Sequence, residues 1–279
     1  MQSIVSQYFE KIVAGPDENI NLAEAVLHIA QNEYPQLDIA DKLLVLDQIA
    51  VELGDRIGAE DAPEKVIGII KDYLFDEKGF KGNLVNFNDP KNSFLNDVLE
   101  RKLGIPISLS IIYIELGKRL GKVIEGVSFP GHFLVKYCTL DKQFIIDPFS
   151  SGILLEESEL LDRLKLFATD KPGVLELNNY LGAATNHEIL QRVLRNLKYI
   201  YMDTEVYDKA LSISNLLLIL EPESLDGIRD RACIFEKLDC FRAASEDFQR
   251  YLALNPMASD HEKIEAHIGK LQISIARLH

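Results

Sequence analysis

His132 and Asp147 are the residues of this chain whose types and spacing most readily do chemistry. Each lies at the end of a predicted strand, where a cleft would be. A carboxylate that accepts from imidazole Nδ1–H fixes the tautomer and leaves Nε2 to take a proton from a nucleophile. The order is a buried helix, a strand with a histidine and a strand ending in aspartate. In that order a helix-borne thiol would be activated, yet the helix carries no cysteine. Ser108 and Ser110 lie in its first turns, and a hydroxyl can act if a base removes its proton. Serine in a first turn commonly satisfies local backbone groups. The structural alternative is that His132 is a buried histidine serving backbone carbonyls and that Asp147 caps a turn.

The elements that must position this pair follow from periodicity. From Pro106 the helix is apolar over most of its circumference (Ile107, Leu109, Ile111, Ile112, Ile114, Leu116), which predicts a central location with layers on more than one side. After Gly121 the period becomes extended: VIEGVSF, HFLVKYC and QFIIDPF are β-branched and aromatic runs separated by turns. Alternation along the second run sets His132, Leu134, Lys136 and Cys138 on one face, and Phe133, Val135 and Tyr137 on the other. A helix follows at Glu156–Leu164. A central helix before an antiparallel sheet predicts an α+β domain.

Upstream, residues 1–76 read as helices. Asn21 caps one, and Asp38 or Asp41 opens another with Leu43, Leu44, Leu46, Ile49 and Val51 inward and Gly54 near its end. Pro63 and Glu64 stand at a third helix start. Residues 75–90 break into a loop with a short extended piece at Leu84–Phe87. Ser93 is placed to cap a helix ending at Leu103, and Gly104 to supply a left-handed cap.

From about residue 185 the chain repeats itself. Tyr201, Tyr207, Ala210 and Pro222 recur as Phe235, Phe241, Ala244 and Pro256, each pair 34 residues apart. This is the tetratricopeptide period, with a small residue at the helix crossing and proline ending the second helix. A terminal helix from Asp260 to Leu278, apolar at Ile264, Ile268 and Leu271, is placed to cover the last repeat. The expected division is a helical N-terminal region at 1–76, an α+β core at 77–180 and repeat helices at 181–279.

The segments NSFLNDVLERKLGIPISLSIIY, GVSFPGHFLVKY and FIIDPFSSG, joined to a tetratricopeptide tail, resemble the bacterial SirB-type family. These are transglutaminase-like proteins, a branch of the papain-like thiol hydrolase fold. In such domains a Gly-x-Cys pattern opens the helix, with the thiol acidified by the dipole and the neighbouring histidine. Laid on Gly104-Ile105-Pro106, that pattern puts proline where the thiol belongs. Ser110 and Gly121 agree with the register, and His132 and Asp147 match the other two members.

The resemblance thus implies a protein- or peptide-binding scaffold without a nucleophile. Asn196 and Arg229 are candidate groove residues on the first helix of each repeat. The alternative is an amide hydrolase or acyl-transferase using Ser108 with His132 and Asp147, in which Asn92 lines a polar pocket or merely caps a turn.

The 279 residues carry 30 Lys+Arg against 44 Asp+Glu, a net charge of −14, which repels phosphate backbones and anionic membranes at long range. Cys138, Cys233 and Cys240 lack metal-site spacing and fit buried thiols in a reducing compartment. Asp76, Glu77, Asp89 and Asp97 do not form a calcium loop. His28, His187 and His261 sit singly on predicted helices. Neither metal nor cofactor is expected. The first fifteen residues lack a basic leader and a long apolar core, so the expected location is cytoplasmic.

Overall fold

The computed structural model describes residues 4–60, 62–167 and 173–277. By contacts the chain divides in two: residues Gly15–Val193 form one unit, and Met1–Ala14 with Leu194–His279 form the other. The helices expected as a separate N-terminal region are therefore shared out. The first goes with the repeats and the rest with the sheet.

In the larger unit, α2 (Leu22–Ala30) is capped by Asn21, whose side chain accepts from the Glu24 N–H at 3.3 Å. Helix α3 (Ile39–Ile57) opens at Asp38, which accepts from the Asp41 N–H at 3.2 Å, and stops at Gly58 rather than near Gly54. Leu46 and Ile49 point inward as expected, but Leu44 and Val51 are exposed. Only about a third of this helix's circumference meets the core, so an apolar residue off that stripe stays in solvent. Pro63 occupies the first turn of α4 (Pro63–Lys71), which runs on into a wider helical turn at Asp72–Glu77.

The loop that follows differs from the sequence expectation. Leu84 and Val85 are exposed and outside any strand, and the extended pairing falls on β1 (Lys81–Gly82). This strand pairs in parallel with β2 (Leu103–Gly104). Between them α5 (Leu95–Arg101) has Phe94, not Ser93, as its N-cap, and its left-handed C-cap is Lys102 at φ 59°. Gly104 is required for a different reason: a Cβ there would lie 2.8 Å from Ser108 Oγ and 2.9 Å from Leu109 Cγ.

Helix α6 (Pro106–Arg119) is central, with nearly every residue buried. It packs on α2, α3 and α5 as well as on the first two strands of the sheet, β3 (Val123–Val127) and β4 (Leu134–Cys138). Both are antiparallel to their neighbours, and β5 (Gln143–Asp147) and a short β6 (Ile153–Leu155) complete the order β3-β4-β5-β6. The fourth strand was not legible from the sequence. The far face of the sheet is covered too: Val127, Leu134, Ile145 and Leu155 pack with Leu160 and Leu164 of α7 (Glu157–Leu164) and Leu177 of α8 (Val174–Asn178). Leu134, Val135, Lys136 and Tyr137 are consequently all buried, and alternation in β4 separates two cores rather than core from solvent.

Helix α9 (Asn186–Asp203) contains the division between units. Its first turn is capped by a distant carboxylate: Asp17 accepts from the N–H of Asn186 at 2.8 Å and of His187 at 2.9 Å. Burial works to raise the Asp17 pKa, but these bonds and the His187 side chain outweigh it and hold the group below its ordinary value.

In the other unit α1 (Ile4–Val13) packs on α10 (Tyr207–Leu220). Helices α11 (Leu225–Lys237) and α12 (Phe241–Leu254) follow. The 34-residue repeat extends to backbone angles: the residues before the helix N-caps, Glu205 and Asp239, have φ 58° and 55°. The C-caps Glu221 and Asn255 have φ −131° and −133°. Ala210 and Ala244 are fully buried at the crossings. Helix α13 (His261–Arg277) buries Ile268 and Leu271 against Ala232, Ala244 and Phe248, which makes it the cover of the last repeat.

Candidate functional site

His132 is not on a strand. It ends a turn two residues before β4, closed by its N–H donating to Phe129 O at 3.0 Å. Gly131 in that turn has φ 68°, and a Cβ on it would lie 2.1 Å from the Phe167 ring, so both backbone conformation and space demand glycine. Asp147 is the last residue of β5. Because β4 and β5 run antiparallel, with Val135 opposite Ile146, the start of one adjoins the end of the other. That topology brings residues 132 and 147 together.

The Asp147 carboxylate is fully buried. Its Oδ1 accepts from His132 Nε2 at 2.9 Å and from the backbone N–H groups of Phe149 and Ser150 at 3.1 and 3.2 Å. Its Oδ2 accepts from Ser150 Oγ at 2.9 Å and from an Arg163 guanidinium nitrogen at 2.8 Å. Burial alone would raise the pKa. The bond and charge of His132 and the bonds from Arg163 and Ser150 outweigh it and hold the carboxyl well below the usual carboxylate range.

The sequence expectation that Asp147 meets Nδ1 is corrected by this geometry. The bonded atom is Nε2, and Nδ1 makes no hydrogen bond to any of the described residues. Phe149 lies edge-on to the imidazole with centroids 5.9 Å apart, and Phe87 is edge-on to Phe149 at the same spacing.

Pro106 is the first residue of α6 and is buried. One turn on, Ser110 Oγ donates to the carbonyl of Phe133 at 3.5 Å, which sets this face of the helix against the residue following His132. Ser108 is engaged elsewhere: Oγ donates its one proton to Asn92 O at 2.6 Å, lies 3.2 Å from Ile105 O, and accepts from the Ile105 N–H at 3.0 Å. No hydrogen bond joins it to His132 among the described residues.

Asn92 is fully buried and holds the preceding loop in place. Its amide donates to Asn86 O at 2.7 Å and Phe87 O at 3.2 Å, and its Oδ1 accepts from Asn83 at 3.1 Å. Asn196 and Arg229 lie in the other unit. Asn196 is half-buried. Arg229 pairs with Asp226 at 2.9 Å and Asp260 at 3.6 Å and stacks over Tyr251. Cys138, Cys233 and Cys240 are free thiols, with Cys233 and Cys240 exposed rather than buried as expected. Burial and the nearby Glu125 raise the Cys138 pKa, the opposite of an activated nucleophile.

Among the described residues no three His, Cys, Asp or Glu side chains gather as a metal site would require. Among the described residues no helix is long and apolar enough to cross a membrane.

Arg163, Phe149 and Phe167 were missed in the sequence. A partial signal existed for two site features. Asp147 followed three residues later by Ser150 is turn chemistry, and Arg163 stands three residues after the buried Leu160 on α7.

Comparison with known proteins agrees with this architecture. A family model described as transglutaminase-like superfamily matches residues 41–195, and one described as tetratricopeptide repeat matches residues 197–269. A UPF0162 protein of Xylella fastidiosa is 34% identical over 273 residues, covering 97% of each chain. The UPF0162 protein YchA of Escherichia coli is 27% identical, covering 86% of this chain and 88% of the relative. Protein SirB1 of Salmonella typhimurium is 27% identical over 86% of this chain and 87% of its own. No solved structure matches. Two family models and full-length relatives therefore agree with the motifs around His132, and the chain belongs to the SirB-type family of transglutaminase-like proteins with C-terminal tetratricopeptide repeats.

Proposed function

We propose that this protein is a non-catalytic transglutaminase-like scaffold that binds protein or peptide, its thiol position held by Pro106. One observation carries the reading: the first residue of α6, where the resemblance puts the thiol, is a buried proline with no nucleophilic atom, and one turn on Ser110 bonds the carbonyl of the residue that follows His132. The His132–Asp147 pair then serves to hold the turn before β4 against the end of β5. The tetratricopeptide hairpins support a binding role, since stacked hairpins present a groove to extended or helical segments. Asn196 remains the candidate groove residue, whereas Arg229 is drawn into ion pairs within its own unit. The charge of −14 speaks against nucleic acid and anionic membranes as partners.

The hydrolase or acyl-transferase alternative finds little support in Ser108. Its single proton goes to a backbone carbonyl at 2.6 Å, and a hydroxyl so engaged is unavailable to His132. The test is intact-mass labelling with serine- and cysteine-directed acylating probes, in the wild type and in His132→Ala. The proposal expects no His132-dependent adduct. Stoichiometric acylation that disappears in His132→Ala would overturn it.

A further inference from the structure

The two edges of the four-stranded sheet differ. On β3 the chain returns to its own edge, where the Ala184 N–H donates to Gly126 O at 2.8 Å. At the other edge β6 pairs with β5 alone, Ile153 opposite Asp147, Leu154 opposite Ile146 and Leu155 opposite Ile145. Residues of an antiparallel strand alternate between bonding the neighbour and facing away, so some N–H and C=O groups of β6 point outward. Among the described residues no hydrogen bond reaches the backbone of Ile153, Leu154 or Leu155 from anywhere but β5.

This edge is preformed. The loop joining β5 to β6 is closed by the Gly152 N–H, which donates to Asp147 O at 2.8 Å, and by the N–H groups of Phe149 and Ser150 on the Asp147 carboxylate. Gly152 has φ 69°, and a Cβ there would lie 2.6 Å from the Phe75 ring, so the loop is seated hard against the core. Ile153 and Leu154 are each 39% exposed, and because successive side chains point to opposite faces, solvent reaches the strand from both sides. Natural sheets blunt an exposed edge with charge, proline or a cover. The sequence Ile-Leu-Leu has neither charge nor proline.

We infer that β6 is a docking edge for an extended segment of a partner protein, which adds as a further strand and carries Lys or Arg beside its apolar residues. This docking edge rests on the binding-scaffold reading and gives one partner its chemistry. Main-chain bonds along the edge supply the affinity of such an addition, and contacts of alternate side chains supply its specificity. The basic residues follow from what succeeds the strand. Glu156, Glu157 and Glu159 are exposed, and among the described residues none of them has an ion-pair partner. The basic groups of the adjoining helix are already taken, Arg163 by Asp147 and Lys165 by Asp162. A second copy of the chain would set one charge of −14 against another, which favours a basic partner over self-pairing.

The experiment combines fluorescence anisotropy with backbone amide exchange on the full chain. The first probe is an N-terminally labelled peptide with a Thr-Val-Thr-Val-Thr core and a pair of lysines at each end. A second has the same core N-methylated at every residue, which removes the donors a strand needs, and a third has glutamates in place of the lysines. The first binds roughly tenfold or more tightly than either of the others. Its binding slows exchange of the β6 amides and leaves those of β3 unchanged. Ile153→Lys combined with Leu154→Lys puts charge on the edge and brings the first probe's affinity down to that of the second. The variant's thermal unfolding is recorded, and the comparison of probes on the wild type stands without it.

Equal binding of the unmodified and N-methylated cores, or no binding of any probe, overturns the docking edge. Protection that appears elsewhere than on β6 overturns it too. A glutamate-ended peptide that binds as tightly as the lysine-ended one overturns the basic partner. So does a dimer whose β6 amides are protected without peptide, because the edge then belongs to a second copy. Each of these leaves the non-catalytic reading intact, and that reading falls instead to acylation that depends on His132.

Discussion

His132 meets Asp147 through Nε2, 2.9 Å from Oδ1, on a carboxylate that Arg163 grips from its other oxygen at 2.8 Å. The pair is therefore part of a larger assembly that ties β5, the turn before β4 and α7 together. Removing any member leaves buried polar groups without partners, so its energetic role is distinct from any chemistry.

Asp147→Asn is the severest of these changes. An amide in place of the carboxylate loses the ion pair to Arg163 and weakens the bond to His132, and it turns its NH₂ toward donors. The expected loss is about 3–5 kcal/mol, the usual cost of breaking a buried pair from one side. Urea unfolding would register it as a lower midpoint with an unchanged slope; a midpoint within error of wild type would be contrary.

The same group fixes a pH dependence. Its folded pKa lies below the unfolded value, so its contribution is fully present above the unfolded carboxylate pKa of about 4 and is lost as pH falls toward the folded value. The stability gap between wild type and Asp147→Asn is thus widest from pH 5 upward and narrows below about pH 4. Denaturant midpoints at several pH values would check this, and a gap that widens on acidification would contradict it.

Ser108→Ala isolates the structural reading of that hydroxyl. Loss of the bonds to Asn92 O and the Ile105 N–H should cost about 1–3 kcal/mol by leaving buried backbone groups unpaired. Amide exchange of the 83–92 loop should rise with it, because Asn92 anchors that loop. An undisturbed loop would detach Ser108 from this role.

Ala244→Leu probes the repeat unit. Its Cβ sits at a fully buried helix crossing against Phe248 and α13, so a larger side chain overpacks it by about 1–3 kcal/mol. Residues 15–193 form their own contact unit, so exchange protection there should hold while protection of α11 to α13 falls.

Much of this was legible because local chemistry and global position agree. Asn21, Asp38 and Pro63 open the helices they should, and the 34-residue period reappears even in backbone angles. Illegible parts depended on tertiary context. Leu44 and Val51 are apolar yet exposed, because only packing decides how wide a helix's buried stripe is. Ile153–Leu155 is too short for a periodic signal to mark it as a strand. For the site, His132 and Asp147 were named from their strand ends. Which imidazole nitrogen they share is set by the side chain's rotamer, which strand pattern does not encode, and Arg163, sixteen residues beyond Asp147, arrives from another element, α7.

The central claim is that Pro106 stands where a thiol would face the His132–Asp147 pair. Pro106→Cys in a background with Cys138, Cys233 and Cys240 changed to Ala puts a single thiol at that position. The pH dependence of its alkylation rate by iodoacetamide then reads its ionisation. A thiol at a helix N-terminus beside His132 should ionise well below the ordinary cysteine value of about 8.5, and His132→Ala should return it toward that value. An ordinary thiol pKa, unchanged by His132→Ala, would contradict the account.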